Sequence, residues 1–435
     1  MSKSTNSLSP QQQLYEIVEH GMCIGCGICQ SMADSNNVTM EIVDTLFERP
    51  IASLQLSEKN IQDIMTVCPG ARVQAMPAEL VSEQTQIDSV WGAWQEIYLA
   101  YSAEPEVRHQ ASTGGVLSGL ALYLIEFEEV DFILHAKASS SQPTFGEATI
   151  SRSRTDILAA TGSRYGPTAT LIDIVKVLDQ AEFNNETFAF IGTPCDVSAL
   201  RNYAELDSRV DQLCKYMLTM VCGGFMSPQG LKKFIQSRGI EFNQITAVRY
   251  RGYGCPGPTV ITMADGSSHE ISYLDFWGED DSQWHLPPRC KICPDGIGES
   301  ADIAAADNWN GGAPTVESSK SDLGSNATIV RTDRGTALMN QAIENGYLVR
   351  DQALSTDDLN RFQPHQETKK RFAWARLIGI QDAGNKIPDT VNLRLKELAK
   401  SNSDEENIMA KQGAHQRVLS GKFSEPTPRK LKPLN

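Results

Sequence analysis

Eight of the ten cysteines in this chain of 435 residues stand in two groups with the spacing of iron–sulfur ligands. The first group is a C-x2-C-x2-C run with a distant cysteine before proline, and it comprises Cys23, Cys26, Cys29 and Cys68. The second group is more scattered and comprises Cys195, Cys222, Cys290 and Cys293. Cysteines that share a metal cluster must meet in space, so the fold has to bring distant segments to two common points. The pattern indicates a protein that moves electrons.

The first group predicts a [4Fe–4S] site. Its three closely spaced thiolates can bind one part of a cluster, and the small residues Gly25 and Gly27 let backbone N–H groups turn toward the sulfurs. Cys68, followed by Pro69, is the nearby candidate for the fourth ligand. This layout resembles that of single-cluster bacterial ferredoxins over roughly residues 15–78. The alternative is zinc, but zinc sites usually show two separated C-x2-C pairs.

Composition and charge limit the class of protein. Lys and Arg number 39 and Asp and Glu 54, so the net charge is −15, which argues against nucleic acid or an anionic membrane as the main partner. The basic run 369–371 remains a candidate for docking an acidic protein. Residues 1–13 show no secretory signal, and the longest apolar stretch, 114–125, is too short to span a membrane. We therefore expect a cytoplasmic protein whose cysteines serve metal or redox chemistry rather than disulfides.

The order of apolar segments predicts an α+β / α/β fold, with a small ferredoxin-like N-terminal cluster domain before an α/β core. We divide the chain into four parts, namely residues 1–88, 89–185, 186–345 and 346–435. Strands are predicted at 96–100, 130–135, 187–191 and 216–221, with a hairpin at 260–271. Helices are predicted at 116–125 and 170–178, after Cys195, from 228 with Ser227 as its cap, and at 391–399. The tail from about residue 401 is predicted to be disordered.

The second cysteine group predicts a second [4Fe–4S] site. Cys195 follows a strand and should lie at a helix N-terminus, where the helix dipole is expected to lower the thiol pKa. Cys222 ends the next strand, which in a parallel sheet places it at the same edge, and Cys290 and Cys293 form a C-x2-C-P pair on a loop. Cys255 is an alternative ligand that could replace one of these four.

Three motifs together resemble the beta subunits of coenzyme F420-reducing hydrogenases and F420-linked dehydrogenases, a family that also includes 7-hydroxymethyl chlorophyll a reductase. They are Gly-Thr-Pro-Cys at 192–195, the cysteine pair at 290–294 with Ala-Asp-Ile at 301–303, and Ala-Ser-Thr-Gly-Gly at 111–115. The resemblance covers about residues 15–345 and implies FAD, an α/β flavin- and cluster-binding core at 89–345, and electron transfer between clusters and flavin. The sequence departs from the family pattern at Gly223, where His is common, and at Ala306, where Gly is usual.

The start of the predicted helix at 116 is the first candidate FAD site. Bare backbone N–H groups and hydroxyls at a helix start suit a pyrophosphate, and the residues concerned are Ser112, Thr113, Gly114 and Gly115. The alternative is a helix cap packed closely against a strand. No Gly-x-Gly-x-x-Gly fingerprint follows any predicted strand, so NAD(P)H is not indicated.

A second candidate segment for FAD comprises Ser163, Arg164 and Tyr165, where the arginine would pair with phosphate and the tyrosine would stack on a ring. The alternative is a surface turn with a basic residue. Asp307 is expected to hydrogen-bond flavin or substrate, or else to lie in a simple strand-to-loop turn. His109 and His285 are the candidate catalytic proton donors, although a single histidine is more often merely solvated.

These observations favour an iron–sulfur flavoprotein oxidoreductase with two [4Fe–4S] clusters and FAD. Clusters carry single electrons and a flavin carries two, so the expected activity passes electrons from ferredoxin or another redox protein to FAD and on to a small conjugated substrate. The alternative is an electron-transfer beta subunit of a larger hydrogenase or dehydrogenase complex that exchanges electrons with an F420-type deazaflavin. A zinc-bound scaffold is the non-enzymatic alternative, and homo-oligomerisation stays open.

Overall fold

The computed structural model describes residues 8–278 and 284–431. Its strands are β1 (Val38–Ile42), β2 (Glu48–Ala52), β3 (Arg72–Gln74), β4 (Gln86–Asp88), β5 (Gly92–Trp94), β6 (Glu96–Ser102), β7 (Phe132–Ala138), β8 (Gly146–Ser151), β9 (Phe188–Gly192), β10 (Cys214–Met220), β11 (Ile245–Arg249), β12 (Thr259–Met263), β13 (Ser268–Ile271), β14 (Ile303–Asp307), β15 (Asn326–Val330), β16 (Leu348–Ala353) and β17 (Asp389–Val391).

The helices cover both faces of the central strands and also build the two ends of the chain. They are α1 (Pro10–Glu19), α2 (Ile28–Ala33), α3 (Glu58–Val67), α4 (Pro105–Gln110), α5 (Val116–Glu126), α6 (Arg154–Ala160), α7 (Ile174–Asn184), α8 (Pro194–Ala204), α9 (Arg209–Leu213), α10 (Pro228–Ser237), α11 (Tyr273–Trp277), α12 (Pro288–Lys291), α13 (Ser318–Ser321), α14 (Asp333–Glu344), α15 (Thr356–Phe362), α16 (Pro364–Asp382), α17 (Leu395–Ala399) and α18 (Asp404–Leu419). None of the helices within the described ranges has both the length and the apolar character that a membrane span requires.

Eight strands form one mixed sheet in the order β16-β6-β15-β14-β10-β9-β7-β8. Strands β7, β9, β10 and β14 run parallel to one another in its centre, whereas β15, β6, β16 and β8 join by antiparallel pairing. The predicted α/β fold class is therefore confirmed. Because β9 and β10 are parallel neighbours, the segments that follow them emerge at the same edge of the sheet.

The central strands form because their residues are apolar on both faces. Phe188, Ala189 and Phe190 in β9 are fully buried, as expected for a parallel sheet covered by helices on both sides. The predicted hairpin is present as β12 and β13, and Ser227 caps α10 by accepting a hydrogen bond from the Gly230 N–H. The sequence pattern was therefore most informative where burial is nearly complete.

The helix predicted at 170–178 begins later than expected, as α7 at Ile174. The residues before it form turns that pack on the first cysteine loop, where the Leu171 N–H donates to the Cys26 carbonyl at 2.9 Å. The Ser31 hydroxyl accepts a hydrogen bond from the Val175 N–H at 2.9 Å. Contacts with a distant segment therefore decide where α7 begins.

The prediction of a disordered tail from about residue 401 is wrong for the residues up to 431. Helix α18 packs along α16, and Gly379 of α16 lies so close to the Lys411 carbonyl that a Cβ would not fit there. Ala414, Val418 and Phe423 are buried in the core around the first cysteine group. The polar composition of this segment hid an apolar face that only the rest of the chain covers.

The core around the first cysteine group is built from both ends of the chain. Leu14 and Ile17 of α1 share it with Leu377 of α16 and Val418 of α18. β3 pairs in parallel with β17, so the two ends also share a small sheet. The C-terminal extension therefore completes the packing around residues 14–75.

Candidate functional site

All four cysteines of the first group line one apolar cavity. The other side chains around it are mainly apolar, and they include Leu14, Ile17, Met40 and Pro50. Gly25 and Gly27 have φ values of 80° and 84°, which favour glycine. A Cβ on Gly27 would lie 2.8 Å from the Ile172 Cα, so this loop also needs glycine to approach the turn before α7 closely.

The thiols of this cavity are shielded from water. Burial raises the pKa of both Cys26 and Cys29 well above the usual value for a thiol, with further contributions from neighbouring cysteines. Burial also raises the pKa of Cys68 to about 12. Bare thiolates are therefore unfavourable here. A metal that replaces the thiol protons neutralises the charge, which fits a buried cluster site.

The structure brings the second cysteine group together as well. Cys195 in the first turn of α8, Cys222 after β10, and Cys290 and Cys293 around α12 line one cavity. The Cys222 N–H donates to the Gly296 carbonyl at 2.8 Å, which ties the end of β10 to the segment after Cys293. Four thiols from three segments therefore meet here, which is the number of ligands that a [4Fe–4S] cluster takes.

The expected low pKa of Cys195 is wrong. Its position at the N-terminus of α8 is as predicted, with Thr193 as the cap. However, burial and the adjacent Asp196 carboxyl raise the pKa of the Cys195 thiol well above its usual value. The capping box of Thr193 and Asp196 already uses free N–H groups of this helix start. Burial therefore outweighs the helix dipole at this position.

Neither cavity has the geometry of a site for one metal ion. In residues 8–278 and 284–431, no three His, Cys, Asp or Glu side chains are arranged to hold a single ion. Structural zinc needs four ligands around one point, whereas each cysteine of a [4Fe–4S] cluster binds its own iron atom.

The two cysteine cavities are adjacent. Ile24, between Cys23 and Cys26, lines both of them. The Arg289 Nη2 lies 3.3 Å from the Pro69 carbonyl and donates a hydrogen bond to it, and Arg289 also lines the second cavity. One layer of side chains thus separates the two sites.

A network around the buried Arg251 joins several residues that the sequence had placed in separate candidate sites. Its guanidinium contacts the Asp307 carboxylate at 3.0 and 3.1 Å, and donates to the Ser112 carbonyl at 2.8 Å. The same group donates to the Thr113 and Tyr165 hydroxyls, each at 3.1 Å. Burial is the largest effect and opposes the charge of Arg251, but Asp307, Tyr165 and Tyr273 together outweigh it and hold the arginine pKa well above its usual value.

Sequence reasoning missed Arg251, although it stands in the glycine-rich segment that drew attention to Cys255. A basic residue among closely spaced glycines was the available signal. Cys255 itself does not line either cysteine cavity. It is buried beside Asp322, and burial raises its pKa to about 12. Cys255 therefore belongs to the surroundings of Arg251 rather than to the second cysteine set.

Close packing of the helix start against a strand, the alternative to a pyrophosphate site, accounts for the glycines at the start of α5. A Cβ on Gly114 would lie 2.7 Å from the Asn326 N of β15. The Asn326 side chain also accepts a hydrogen bond from the Val116 N–H at 3.3 Å. Thr113 donates to Asp307, and the Ser112 hydroxyl accepts from the Ser163 N–H at 2.8 Å. These groups stabilise the meeting of α5, β14 and β15, and Gly115, with φ 76°, caps the helix.

Arg164 is a candidate whose side chain has no hydrogen bond or ion pair within residues 8–278 and 284–431. Its Nε is buried and has no hydrogen-bond partner, and no ion pair of this residue exists within the described part of the chain. Burial lowers the pKa of its guanidinium. A partly buried cation without an anion fits a phosphate-bearing ligand better than a free surface turn. Tyr165 beside it packs edge-on against Trp277 at 4.8 Å between ring centroids.

The two candidate catalytic histidines lie at different places and are both exposed. The His109 ring packs edge-on against Tyr253, 5.7 Å between centroids, on the segment that carries Arg251. His285 stands next to the buried Trp284, and no hydrogen bond or ring contact of its side chain is found in the described residues. His109 is therefore the better placed of the two.

The basic run 369–371 is part of the fold rather than a docking patch. Lys370 is buried and forms an ion pair with Glu299. Lys369 donates to the Gly223 carbonyl at 2.8 Å, and Arg371 donates to Asn402 at 3.0 Å. These side chains fasten α16 to the segment after Cys222 and to the C-terminal extension.

Helix α16 also connects the second cavity with the Arg251 network. Gln366 donates to the Cys222 carbonyl at 2.8 Å, and Gln363, just before the helix, donates to the Asp307 carbonyl at 2.7 Å. Both contacts lie at the carboxyl edge of the parallel strands, where β10 and β14 end. The two cysteine cavities and the Arg251 network therefore follow one another in space.

Comparison with known proteins gives one consistent family. The family model described as "Coenzyme F420 hydrogenase/dehydrogenase, beta subunit N-term" matches residues 97–176, and the model for the C terminus of the same beta subunit matches residues 185–354. The F420-reducing [NiFe] hydrogenase complex from Methanosarcina barkeri contains a chain that is similar in structure. The TM-score is 0.52 at 18% identity, covering 70% of this chain and 98% of that one, which supports the same fold.

Curated relatives cover different shares of the chain. The beta subunit of F420-dependent formate dehydrogenase 1 from Methanococcus maripaludis is 25% identical over 58% of this chain and 60% of its own length. Coenzyme F420-dependent sulfite reductase from Methanocaldococcus jannaschii is 20% identical over 88% of this chain and 57% of its own length. The coenzyme F420 hydrogenase beta subunit from Methanococcus voltae is 24% identical over 67% of this chain and 98% of its own length. The chain thus spans less than two thirds of the first two relatives.

Proposed function

Because the chain belongs to the coenzyme F420 hydrogenase/dehydrogenase beta-subunit family of oxidoreductases, we propose that it is an iron–sulfur flavoprotein that exchanges electrons between a redox partner and an F420-type deazaflavin. The observation that carries this proposal is the pair of cysteine cavities that share Ile24. Two sites for one-electron carriers that share a lining side chain are close together, and this favours electron transfer from one to the other.

Different residues hold the clusters and the flavin in this proposal. The four cysteines around each cavity hold a [4Fe–4S] cluster. Clusters supply single electrons and FAD supplies paired ones, so together they connect one-electron and two-electron chemistry. Arg164 is the residue we assign to a phosphate of FAD, because its guanidinium is partly buried and has no ion-pair partner among residues 8–278 and 284–431. Arg251 and Asp307 keep the surrounding segments in place, and the apolar wall around Ile24 excludes water between the clusters.

A ferredoxin-fed complete reductase is the second candidate. The sulfite reductase of Methanocaldococcus jannaschii matches 88% of this chain and is named as a coenzyme F420-dependent enzyme rather than as a subunit. It therefore favours a complete reductase, whereas ferredoxin as the donor is our own expectation. In that case FAD would pass electrons to a small conjugated substrate. The beta-subunit function is the stronger proposal because the family match and two of the relatives point to it.

Anaerobic purification with quantification of iron, acid-labile sulfide and released flavin tests the proposal. We expect about eight iron, eight sulfide and one FAD per chain, with a brown colour from the clusters. Four iron without flavin would leave one ferredoxin-like site and overturn the proposal. Reduced F420 is then mixed with the purified protein, and bleaching of the clusters or flavin is followed by absorbance.

Affinity purification from the native cell distinguishes the two candidates. A beta subunit is expected to bring down one partner chain in equal amount and to show little activity without it. A complete reductase is expected to purify alone and to oxidise reduced ferredoxin when its substrate is supplied. Failure to react with either F420 or ferredoxin, in a protein fully loaded with clusters, would contradict both candidates.

A further inference from the structure

Arg289 occupies the space between the two cysteine cavities. It belongs to α12 and stands directly before Cys290, and its side chain lines the second cavity. Its guanidinium donates to the Pro69 carbonyl at 3.3 Å, immediately after Cys68 of the first cavity. Its backbone N–H donates to the Gly21 carbonyl at 3.0 Å, so the backbone is also fixed between the two sites.

This arginine is almost completely buried, at 1% exposure, and has no acidic partner among the residues that the structure describes. Its Nε makes no hydrogen bond, and no Asp or Glu lies within ion-pair distance of it in that part of the chain. Arg49 and Arg201, which are also buried, contact Glu425 at 2.8 Å and Asp302 at 3.3 Å. The buried Arg331 has no ion pair in the described part of the chain either, but it donates to three backbone carbonyls. Arg289 therefore carries a positive charge that no described carboxylate neutralises.

A buried cation without an anion nearby is unfavourable, so its environment should supply negative charge. The thiols of the second cavity lie beside Arg289, and Cys68 of the first cavity directly precedes Pro69, whose carbonyl accepts the hydrogen bond from Arg289.

We propose that Arg289 is a positioning residue that sets the potentials of both clusters and couples them electrostatically, an inference that rests on the proposed function. Each one-electron reduction adds one negative charge to a cluster, and a desolvated cation beside it stabilises that reduced form. Because Arg289 lies between the sites, its charge acts on both. It also offsets the repulsion between two negatively charged clusters, so reduction of one hinders reduction of the other less.

The test is an EPR-monitored redox titration of the holoprotein with Arg289 replaced by methionine, which keeps the length and removes the charge. We expect both midpoint potentials to move to more negative values and the two reduction steps to separate further. Iron and sulfide contents are measured on the same samples. Arg289→Lys, which keeps the charge, is expected to retain potentials close to those of the unmodified protein.

Lys291→Met is the matched control. It removes the same unit charge from the same helix, but at an exposed position where water and salt screen it, so both potentials should move less than in Arg289→Met. Unchanged potentials in Arg289→Met, or a shift no larger than that of Lys291→Met, would overturn the inference. A shift of one cluster alone would also contradict it.

Cluster assembly gives a second readout. If the methionine variant fails to load clusters while Arg289→Lys loads both, the charge is needed on both sides and the inference is supported. If the lysine variant also fails, the shape of the arginine matters rather than its charge, and the inference falls. Absence of clusters from the unmodified protein would instead be a failure of the proposed function, and the iron and sulfide analysis separates these two outcomes.

Discussion

At the scale of single residues, Arg251 joins three segments that are far apart in sequence. Its guanidinium binds the end of β14 through Asp307, the start of α5 through Ser112, and the hydroxyl of Tyr165. It also lies 5.0 Å from the centre of the Trp309 ring. These contacts satisfy a buried charge with an anion, a carbonyl and aromatic faces, and so make this corner of the molecule rigid.

Replacement of Arg251 by methionine should destabilise the protein by roughly 2–4 kcal/mol, because the mostly buried Asp307 would lose its counterion. Arg249→Met is the control, since Arg249 stacks on Tyr253 at 4.6 Å and pairs with no carboxylate in the described part of the chain. We expect it to cost about 1 kcal/mol. Urea unfolding under anaerobic conditions measures the free energy of unfolding of both variants. Equal decreases would show that the ion pair of Arg251 with Asp307 adds nothing to stability.

His135 makes stability depend on pH. Burial lowers the pKa of this histidine, which contacts the Ser151 hydroxyl at 2.7 Å, to about 4. In the unfolded chain the pKa is about 6.5, so between these values the unfolded state binds the proton and the folded state does not. The buried neutral His135 therefore makes its full contribution to the free energy of unfolding above about pH 6.5, and this contribution is lost as the pH falls toward 4.

The expected loss from His135 between pH 7.5 and pH 5 is about 2 kcal/mol of unfolding free energy. His135→Gln should remove this part of the pH dependence, whereas His269→Gln, at an exposed position, should leave it unchanged. Urea unfolding at the two pH values gives the difference for each protein. A pH dependence of the same size in His135→Gln would show that other groups cause it.

At the scale of elements, the C-terminal extension, described here for residues 346–431, packs against the first cysteine site and helps to hold it together. Helix α18 packs on α16, and the segment after it runs back over the N-terminal region, where the Glu425 N–H donates to the Glu19 carbonyl at 3.1 Å. The Glu425 carboxylate holds the fully buried Arg49 at 2.8 Å, close to Cys23. Loss of this segment would leave Arg49 buried and unpaired beside the site.

Phe423→Ala should therefore destabilise the N-terminal region by about 3–5 kcal/mol, because Phe423 is 2% exposed within its core. Leu419→Ala, four residues earlier and 63% exposed, should change stability by less than about 0.5 kcal/mol. Limited proteolysis and thermal unfolding measure the effect, together with the iron content. Equal stability and equal iron content in the two variants would mean that the C-terminal extension does not stabilise the first cysteine site.

At the scale of the whole molecule, the two cysteine cavities and the Arg251 network follow one another toward the carboxyl edge of the central sheet. Ile24 lines both cavities, and the end of β10 leads from the second cavity toward the end of β14. Ligands commonly bind at this edge in open α/β sheets. Each cavity has its own set of four cysteines, and under the proposed function the arrangement would give electrons a short route through the protein.

Single cysteine replacements should therefore affect one cavity at a time. Cys26→Ser and Cys293→Ser are each expected to remove about half of the iron, since each breaks one [4Fe–4S] ligand set and spares the other. Cys214→Ser is the control, because Cys214 is buried at the start of β10 and lines neither cavity. Iron analysis and EPR of the reduced proteins measure the outcome. Loss of all iron from Cys26→Ser would mean that the two sites assemble only together.

Local patterns in the sequence determined the elements and the identity of the cysteines. Apolar residues predicted β9 and α5, and Ser227 and Pro228 predicted the start of α10. Spacing predicted the first cysteine group, and spacing with the expected strand order predicted the second, with Cys255 left open as an alternative. These signals are readable because they depend on neighbours along the chain, such as caps, turns and side chains that are buried on every side.

The tertiary structure alone decided which distant charges meet and what burial does to them. The partner of Arg251 lies 56 residues away and the partner of Arg49 lies 376 residues away, so no local pattern marks either pair. Burial reversed the expected pKa shift of Cys195 and turned a polar tail into the packed helix α18. It also left Arg289 between the two cavities without an acidic partner in the described ranges. Desolvation depends on everything that surrounds a group, and that is settled only when the whole chain has folded.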